Sequence, residues 1–161
     1  MREPQTRAVL TALLDESGAV WTTQTGWIGF RLEREGRLWE MRCLPVDEAV
    51  LCYGRYPFRV ENRAEGLRRC DEVNRKAVRG AMFLPDDGRP VFRTRAELDD
   101  AYGARQRLKA AIEYNAAILA RFWNAMSRGD PMARFRNPAD ADSFPFQITA
   151  APPYGGDGES V

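Results

Sequence analysis

The stretch CDEVNRKAVRGAMFLPDDGRPVFRTRAEL, residues 70–98, decides the fold class of this 161-residue chain. Its first part continues an amphipathic helix. Its second part carries two short runs of strand-forming residues, GAMFL and PVFRTRAEL, on either side of PDDG. Adjacent acidic residues before a glycine are typical of a tight turn, so a β-hairpin is predicted across Asp86, Asp87 and Gly88. A helix followed directly by an antiparallel pair is typical of α+β domains.

The residues before this stretch predict a first helix and three strands. Val9, Leu10, Leu13 and Leu14 recur at helical spacing, and Gly18 marks the end of that helix. A hairpin is predicted around the dipeptide at 35–36, because apolar and polar residues alternate on both sides of it. Its apolar members are Ile28, Phe30 and Leu32 before the turn and Trp39, Met41 and Cys43 after it. The arginines and glutamates between them predict an antiparallel sheet that is wet on its other face.

Two further helices complete the predicted domain. Asn62 can cap the first of them, with Glu65 three residues later, and its buried stripe is predicted to be Leu67, Cys70, Val73 and Ala77. The second is predicted from about residue 100 to residue 127, with Asp99 and Asp100 as caps at its start. Its stripe comprises Leu108, Ile112, Asn115, Leu119, Phe122 and Met126.

The predicted fold is therefore α+β, with helices packed on one antiparallel sheet in the order α-β-β-β-α-β-β-α. Residues 1–129 are predicted to form a single domain. Residues 130–161 are rich in Pro, Gly, Ala and Asp, and they predict a C-terminal tail that is partly disordered or docked.

Composition limits the classes of function. The 24 basic and 23 acidic residues give a net charge of +1, so no overall field attracts nucleic acid or a membrane. Histidine is absent, which removes the usual general base and the usual zinc ligand. The three cysteines lack CxxC spacing, and no apolar run resembles a signal peptide or a membrane span. We expect a cytoplasmic protein with no catalytic residues, metal or cofactor.

The order of elements and the opening stretch resemble the YbjN family of bacterial proteins, described as candidate sensory-transduction regulators. The resemblance lies in Val73 and Asn74 near a helix end, in Gly80, Met82 and Phe83, in the turn at Asp87 and Gly88, and in the strand at residues 90–93. It covers roughly residues 6–128. It implies a fold like that of type III secretion chaperones, and a small non-catalytic domain that pairs with itself or binds protein segments.

Four residues are candidates for contact with a partner polypeptide. Exposed aromatic residues mark interfaces, which makes Trp27 and Trp39 candidates, with core packing as the alternative. Asn115 interrupts the apolar stripe of the last helix, where one polar residue can fix the register of paired helices. The alternative is that Asn115 bonds within its own domain. Phe122 lies on the same stripe, and together these residues predict a homodimer or a complex with a partner protein or peptide.

Two other functions are alternatives. A carboxylate-based enzyme, or a small-ligand binder without histidine, would need Asp86, Asp87 and Asp99 to converge in one pocket. A nucleic-acid binder, which we rank last, would use Arg68, Arg69, Arg75 and Arg79. Each of these residues also has a structural interpretation, as a turn residue, a helix cap or a solvated helix face.

Overall fold

The computed structural model describes residues 1–128 and the backbone of Gln147–Thr149. Its helices are α1 (Glu3–Glu16), α2 (Arg63–Lys76), α3 (Ala104–Arg121) and α4 (Trp123–Met126). Its strands are β1 (Thr22–Gln24), β2 (Trp27–Arg34), β3 (Arg37–Val46), β4 (Ala49–Arg55), β5 (Ala81–Phe83), β6 (Val91–Glu97) and β7 (Gln147–Thr149). The α+β class and the predicted order are confirmed, with β1, α4 and β7 as short additions. Apart from β7, the predicted tail at 130–161 lies outside the described residues.

All strands belong to one antiparallel sheet with the order β1-β2-β3-β4-β6-β5, and β7 also pairs with β2. The outer edge of β2 is shared by two strands of the same chain. β1 pairs with its first part and β7 with its second part, opposite Arg31 to Glu33. None of the helices in residues 1–128 has the length and apolar character that a membrane span requires.

The hairpin predicted at residues 35–36 joins β2 to β3. Glu35 has φ 55° and Gly36 has φ 77°, so both turn residues are left-handed. This conformation belongs to a two-residue turn whose twist matches that of the flanking strands. It fixes the register that places Phe30 opposite Met41 and Leu32 opposite Trp39.

The helices pack on one face of the sheet and form a single core with it. The predicted apolar members of the first hairpin are all buried there, none more than 1% exposed. Strands β4 and β6 add Val50, Cys52, Phe92 and Ala96 to the same face. Because side chains alternate along a strand, the intervening residues lie on the opposite face, which we call the outer face.

A buried polar contact fixes α3 to the middle of the sheet. Asn115 is fully buried and its Nδ2 donates to the carbonyl of Phe92 at 2.8 Å and of Cys52 at 3.2 Å. Thr94 Oγ1 donates to the carbonyl of Ala111 at 3.0 Å. Gly54 permits the close approach, since a Cβ there would lie 2.2 Å from Asn115 Oδ1. Asn115 therefore bonds within its own domain, which was one of its two sequence interpretations.

Asn74 fixes α2 to β5 in a similar way. Its Nδ2 donates to the carbonyl of Met82 at 2.9 Å, while its Oδ1 accepts the Met82 N–H at 2.7 Å. Gly80 is left-handed with φ 81°, and a Cβ there would lie 2.6 Å from the carbonyl oxygen of Arg93. These residues of the quoted stretch therefore have structural roles.

Three details of the predicted α2 and α3 are wrong. Leu67 is 48% exposed, and the buried stripe of α2 is Gly66, Cys70 and Val73 instead. Gly66 faces the core because Val60 and Leu84 leave no room for a larger side chain.

The predicted caps Asp99 and Asp100 do not cap α3. The helix begins after Gly103, which has φ 69°, and Asp100 instead accepts from Arg107, which also binds the carbonyls of Glu97 and Tyr102. Four guanidinium bonds hold the loop before α3. The N-cap position carries no side-chain capping bond of the kind that a carboxylate would make. The long predicted helix also divides at Phe122, whose φ of −100° and ψ of 13° end α3.

We expect Gly54→Ala to destabilise the fold by roughly 1–3 kcal/mol, because the added methyl group would overlap the Asn115 side chain. Asn115→Ala should cost a similar amount through its lost buried hydrogen bonds. In the double variant the methyl group has room, so the two costs should not add. Urea unfolding of the four proteins measures this, and strictly additive costs would contradict the proposed contact.

Candidate protein-binding site

The outer face of the sheet carries a row of aromatic and arginine side chains. The Arg42 guanidinium lies 4.9 Å from the centroid of the Trp27 ring. Trp27 meets Tyr53 edge to face at 5.3 Å, and Tyr53 meets Phe83 at 6.4 Å. The rings and the guanidinium therefore support one another across β2, β3, β4 and β5, in contacts typical of cation–π and edge-to-face pairs.

A chain of ion pairs runs across the same face. Glu40 lies 3.4 Å from Arg31 and 3.9 Å from Arg55, and Arg55 lies 3.3 Å from Asp87. Burial raises the pKa of the Glu40 carboxyl, and the neighbouring Arg31 and Arg55 oppose that rise. Glu40, Arg31 and Arg55 line a pocket of about 200 Å³ with Leu38, Pro57 and Arg89.

The prediction that this face is wet needs a correction. Arg42 and Arg55 are each 2% exposed and Glu33 is 4% exposed. Arg42 stacks on Trp27, and Arg55 pairs with carboxylates on both sides, so lateral contacts on the face shield their charges. Over β2, β3 and β4 the outer face is therefore a structured polar surface, whereas Arg93 and Arg95 of β6 are exposed on it, as predicted.

The four predicted contact residues occupy different environments. Trp27 lies half-buried on the outer face, while Trp39 is 1% exposed and packs on Trp123 at 5.9 Å in the core. Asn115 is buried under α3, and Phe122 is 9% exposed at the end of α3. The structure does not bring them together on one surface. Their role in binding stays a prediction, and Trp27 is the one among them on the outer face.

The carboxylates of the enzyme alternative do not converge. Asp87 belongs to the turn before β6, where it pairs with Arg55 and accepts the Arg89 N–H. Asp99 follows the other end of β6, and the strand between them separates the two groups by roughly 20 Å. Within residues 1–128, no group of three His, Cys, Asp or Glu side chains lies close enough to hold a metal.

The arginines of the nucleic-acid alternative are mostly matched by carboxylates on α2. Arg68 pairs with Glu65 and Glu72, Arg69 with Glu65, and Arg75 with Asp71. A helix face of alternating charge offers no continuous positive stripe to a phosphate backbone. The fourth arginine of that set, Arg79, lies elsewhere, with its guanidinium 5.0 Å from the ring centroid of Tyr114.

The three cysteines are buried and reduced. Cys43 lies directly opposite Cys52 on adjacent strands, and burial raises the pKa of the Cys43 thiol well above its ordinary value. Burial raises the pKa of Cys70 to about 11. Because the thiolate is the reactive form, these groups are poor nucleophiles.

We therefore expect no cysteine to react with a thiol reagent such as DTNB in the native protein at pH 8, because all three side chains are buried. Labelling should follow the rate of unfolding and reach three groups per chain in denaturant. Rapid labelling of the folded protein would contradict the burial of these residues.

Sequence reasoning missed the site at the other end of the sheet. β5 pairs only with the first part of β6, from Val91 to Arg93, so no described strand lies beside residues 94–97. We call residues 94–97 the β6 edge. The sequence signal for this unpaired edge is the unequal length of the runs GAMFL and PVFRTRAEL. The position of these strands at the end of the sheet depends on strand order, which the signal does not contain.

The backbone groups of this edge alternate in direction. Tyr56 N–H donates to the Pro90 carbonyl and Leu98 N–H donates to the Glu48 carbonyl, so the even-numbered residues of β6 bond toward β4. The odd-numbered Arg95 and Glu97 therefore point their N–H and C=O groups away from the sheet. The Glu97 carbonyl accepts from Arg107 Nε at 2.7 Å, which agrees with that direction.

The chain matches no protein-family model and no curated protein. Among solved structures it is similar to YbjN from E. coli, which is described as a candidate transcription regulator. The TM-score is 0.54 at 11% sequence identity, over 73% of this chain and 91% of that chain. Fold and site together define a small α+β domain with one sheet edge partly unpaired. The fold of that domain is YbjN-like, as the sequence resemblance predicted.

The two tryptophans should respond differently to charge. We expect Trp39→Glu to unfold the domain, because it would bury a carboxylate among aromatic rings at a cost of more than about 3 kcal/mol. Trp27→Glu should fold, because its carboxylate would lie beside Arg42 at the surface. Circular dichroism and thermal melting measure both. Equal melting temperatures would contradict the assignment of the two residues to different environments.

Proposed function

We propose that this domain is a non-catalytic interaction module that binds an extended segment of a partner polypeptide as a strand on the β6 edge. The observation that carries the proposal is the asymmetry of the sheet. On the β2 side, β1 and β7 of the same chain pair along the edge, whereas on the β6 side β5 leaves residues 94–97 without a described neighbour.

An unpaired strand edge is a template for another chain. Its free N–H and C=O groups supply main-chain hydrogen bonds, and adjacent side chains supply specificity. At the β6 edge these groups belong to Arg95 and to the N–H of Glu97, since Arg107 already binds the Glu97 carbonyl. Val78, three residues before β5 in the chain, adds an apolar side chain that is 90% exposed.

The absence of convergent carboxylates supports a binding role over a catalytic one. Asp87 and Asp99 lie at opposite ends of β6, and burial raises the pKa values of the Cys43 and Cys70 thiols. The similarity to a candidate regulator agrees with a regulatory role, exercised through the bound partner. Self-association of the domain is a further part of the proposal. Asn115 does not provide it, because its amide bonds inside the protomer.

The experiment is a selection from a library of random peptides displayed on phage, with the full chain immobilised. We expect peptides with extended, β-forming sequences to be enriched above background. Failure to enrich any peptide would contradict the proposal.

Binding of an enriched peptide should depend on the backbone of the β6 edge. Glu97→Pro removes one outward N–H from the last residue of β6, a position that proline tolerates, since the bonds to β4 are untouched. We expect binding to weaken about tenfold. Glu97→Ala is the matched control, because it loses the same side chain and keeps the N–H. Equal affinity for both variants, measured by fluorescence anisotropy, would contradict strand pairing at this edge.

A further inference from the structure

We propose that a cleft beside the β6 edge selects partners whose extended segment is acidic, through Arg79, Arg93 and Arg95. We call these three residues and their surroundings the arginine cleft. The inference rests on the proposed function, since the segment that pairs with the edge must pass this cleft. It adds the chemical class of the partner, which the unpaired edge alone does not define.

The cleft lies where β5 begins and β6 becomes unpaired. Its volume is about 490 Å³, and it is lined by the three arginines with Leu51, Gly80, Ala81 and Thr94. Arg93 and Arg95 are two residues apart on one strand, so both lie on the outer face with Cα atoms roughly 7 Å apart. Carboxylates at alternate positions of an extended peptide have the same spacing.

Two of the three arginines lack a counter-charge. Among residues 1–128, no carboxylate lies within 4 Å of the guanidinium of Arg79 or Arg93, whereas Arg95 pairs with Glu97 at 2.5 Å. Arg68, Arg69 and Arg75 of α2 are, by contrast, each paired with a neighbouring carboxylate. The cleft therefore holds a local excess of positive charge on a chain whose net charge is only +1. A ligand with carboxylate groups would neutralise this charge through bidentate contacts with the guanidinium groups.

The position of Arg79 is fixed by α3. Tyr114 accepts the Val78 N–H at 2.8 Å, and its ring lies 5.0 Å below the Arg79 guanidinium. Gly80 then brings the loop against the Arg93 carbonyl, where a Cβ would have only 2.6 Å of space. Because backbone and guanidinium are held before a ligand arrives, less ordering entropy is lost on binding.

The test uses two synthetic peptides of equal length, one alternating glutamate with valine and threonine, and one with lysine in place of each glutamate. Binding of each labelled peptide to the full chain is measured by fluorescence anisotropy at low and at high salt. We expect the acidic peptide to bind more tightly and to lose affinity as salt rises. Equal affinity for the two peptides would overturn the inference.

Substitutions of the cleft arginines test whether the cleft causes the preference for the acidic peptide. We expect Arg79→Gln and Arg93→Gln each to weaken binding of the acidic peptide about three- to tenfold. Arg75→Gln is the matched control, since Arg75 is an exposed arginine on α2 that pairs with Asp71, and it should bind as the wild type does. Arg93→Glu should shift the preference toward the lysine peptide. Retention of the acidic preference in all three cleft variants would overturn the inference.

The outcomes separate this inference from the proposed function. If both peptides bind and Glu97→Pro weakens both, but the arginine variants change nothing, strand pairing stands and acidic selection fails. If neither these peptides nor any selected from the library bind, the proposed function itself fails. An oligonucleotide that displaces the acidic peptide at equal charge and lower concentration would assign the cleft to nucleic acid and overturn the inference.

Discussion

The fold depends on the contact between the Asn115 amide and two neighbouring strands. The Asn115 Nδ2 donates to carbonyls of β4 and β6, and these two bonds fix the position of α3 on the middle of the sheet. Gly54 makes this possible because any side chain there would occupy the same space. A buried amide must find partners or cost free energy, so this position admits few helix registers. In the register that Asn115 sets, α3 also buries its apolar residues Leu108, Ile112 and Leu119 in the core.

With the described helices fixed on one face, the outer face and the two edges of the sheet are left for other uses. The chain uses the β2 edge itself, through β1 and β7. It stabilises the outer face laterally, by stacking Arg42 on Trp27 and by pairing Arg55 with Asp87. Among the described residues, no strand pairs with the β6 edge, residues 94–97. Natural sheets usually protect such edges, and the proposed interaction site rests on this edge and on the neighbouring Arg79 and Arg93, which lack a carboxylate partner among residues 1–128.

Local patterns predicted the local structure well. The alternation around residues 35–36 predicted both the hairpin and its buried face. With a period of two, only one face of the hairpin carries all the apolar residues. Predictions that depended on tertiary neighbours failed more often. Leu67 fitted the helical stripe of α2, but Val60 and Leu84 fill the space beside that helix so closely that Gly66 faces them instead. Asp100 fitted a helix cap, but Arg107 reaches back from the next turn and binds it.

The site was less predictable than the fold for a related reason. Strand order, which places β6 next to an incomplete edge, is a non-local property that no window of sequence contains. Asn74 and Gly80, which carry the YbjN resemblance, are engaged in joining α2 to β5 and β5 to β6. The similar solved structure shares 11% sequence identity with this chain, so the likeness shows the fold and assigns no partner. Arg79 and Arg95 lie beside Gly80 in the same cleft, and under the proposed function a change of either side chain would alter what is bound while the structural contacts stay in place.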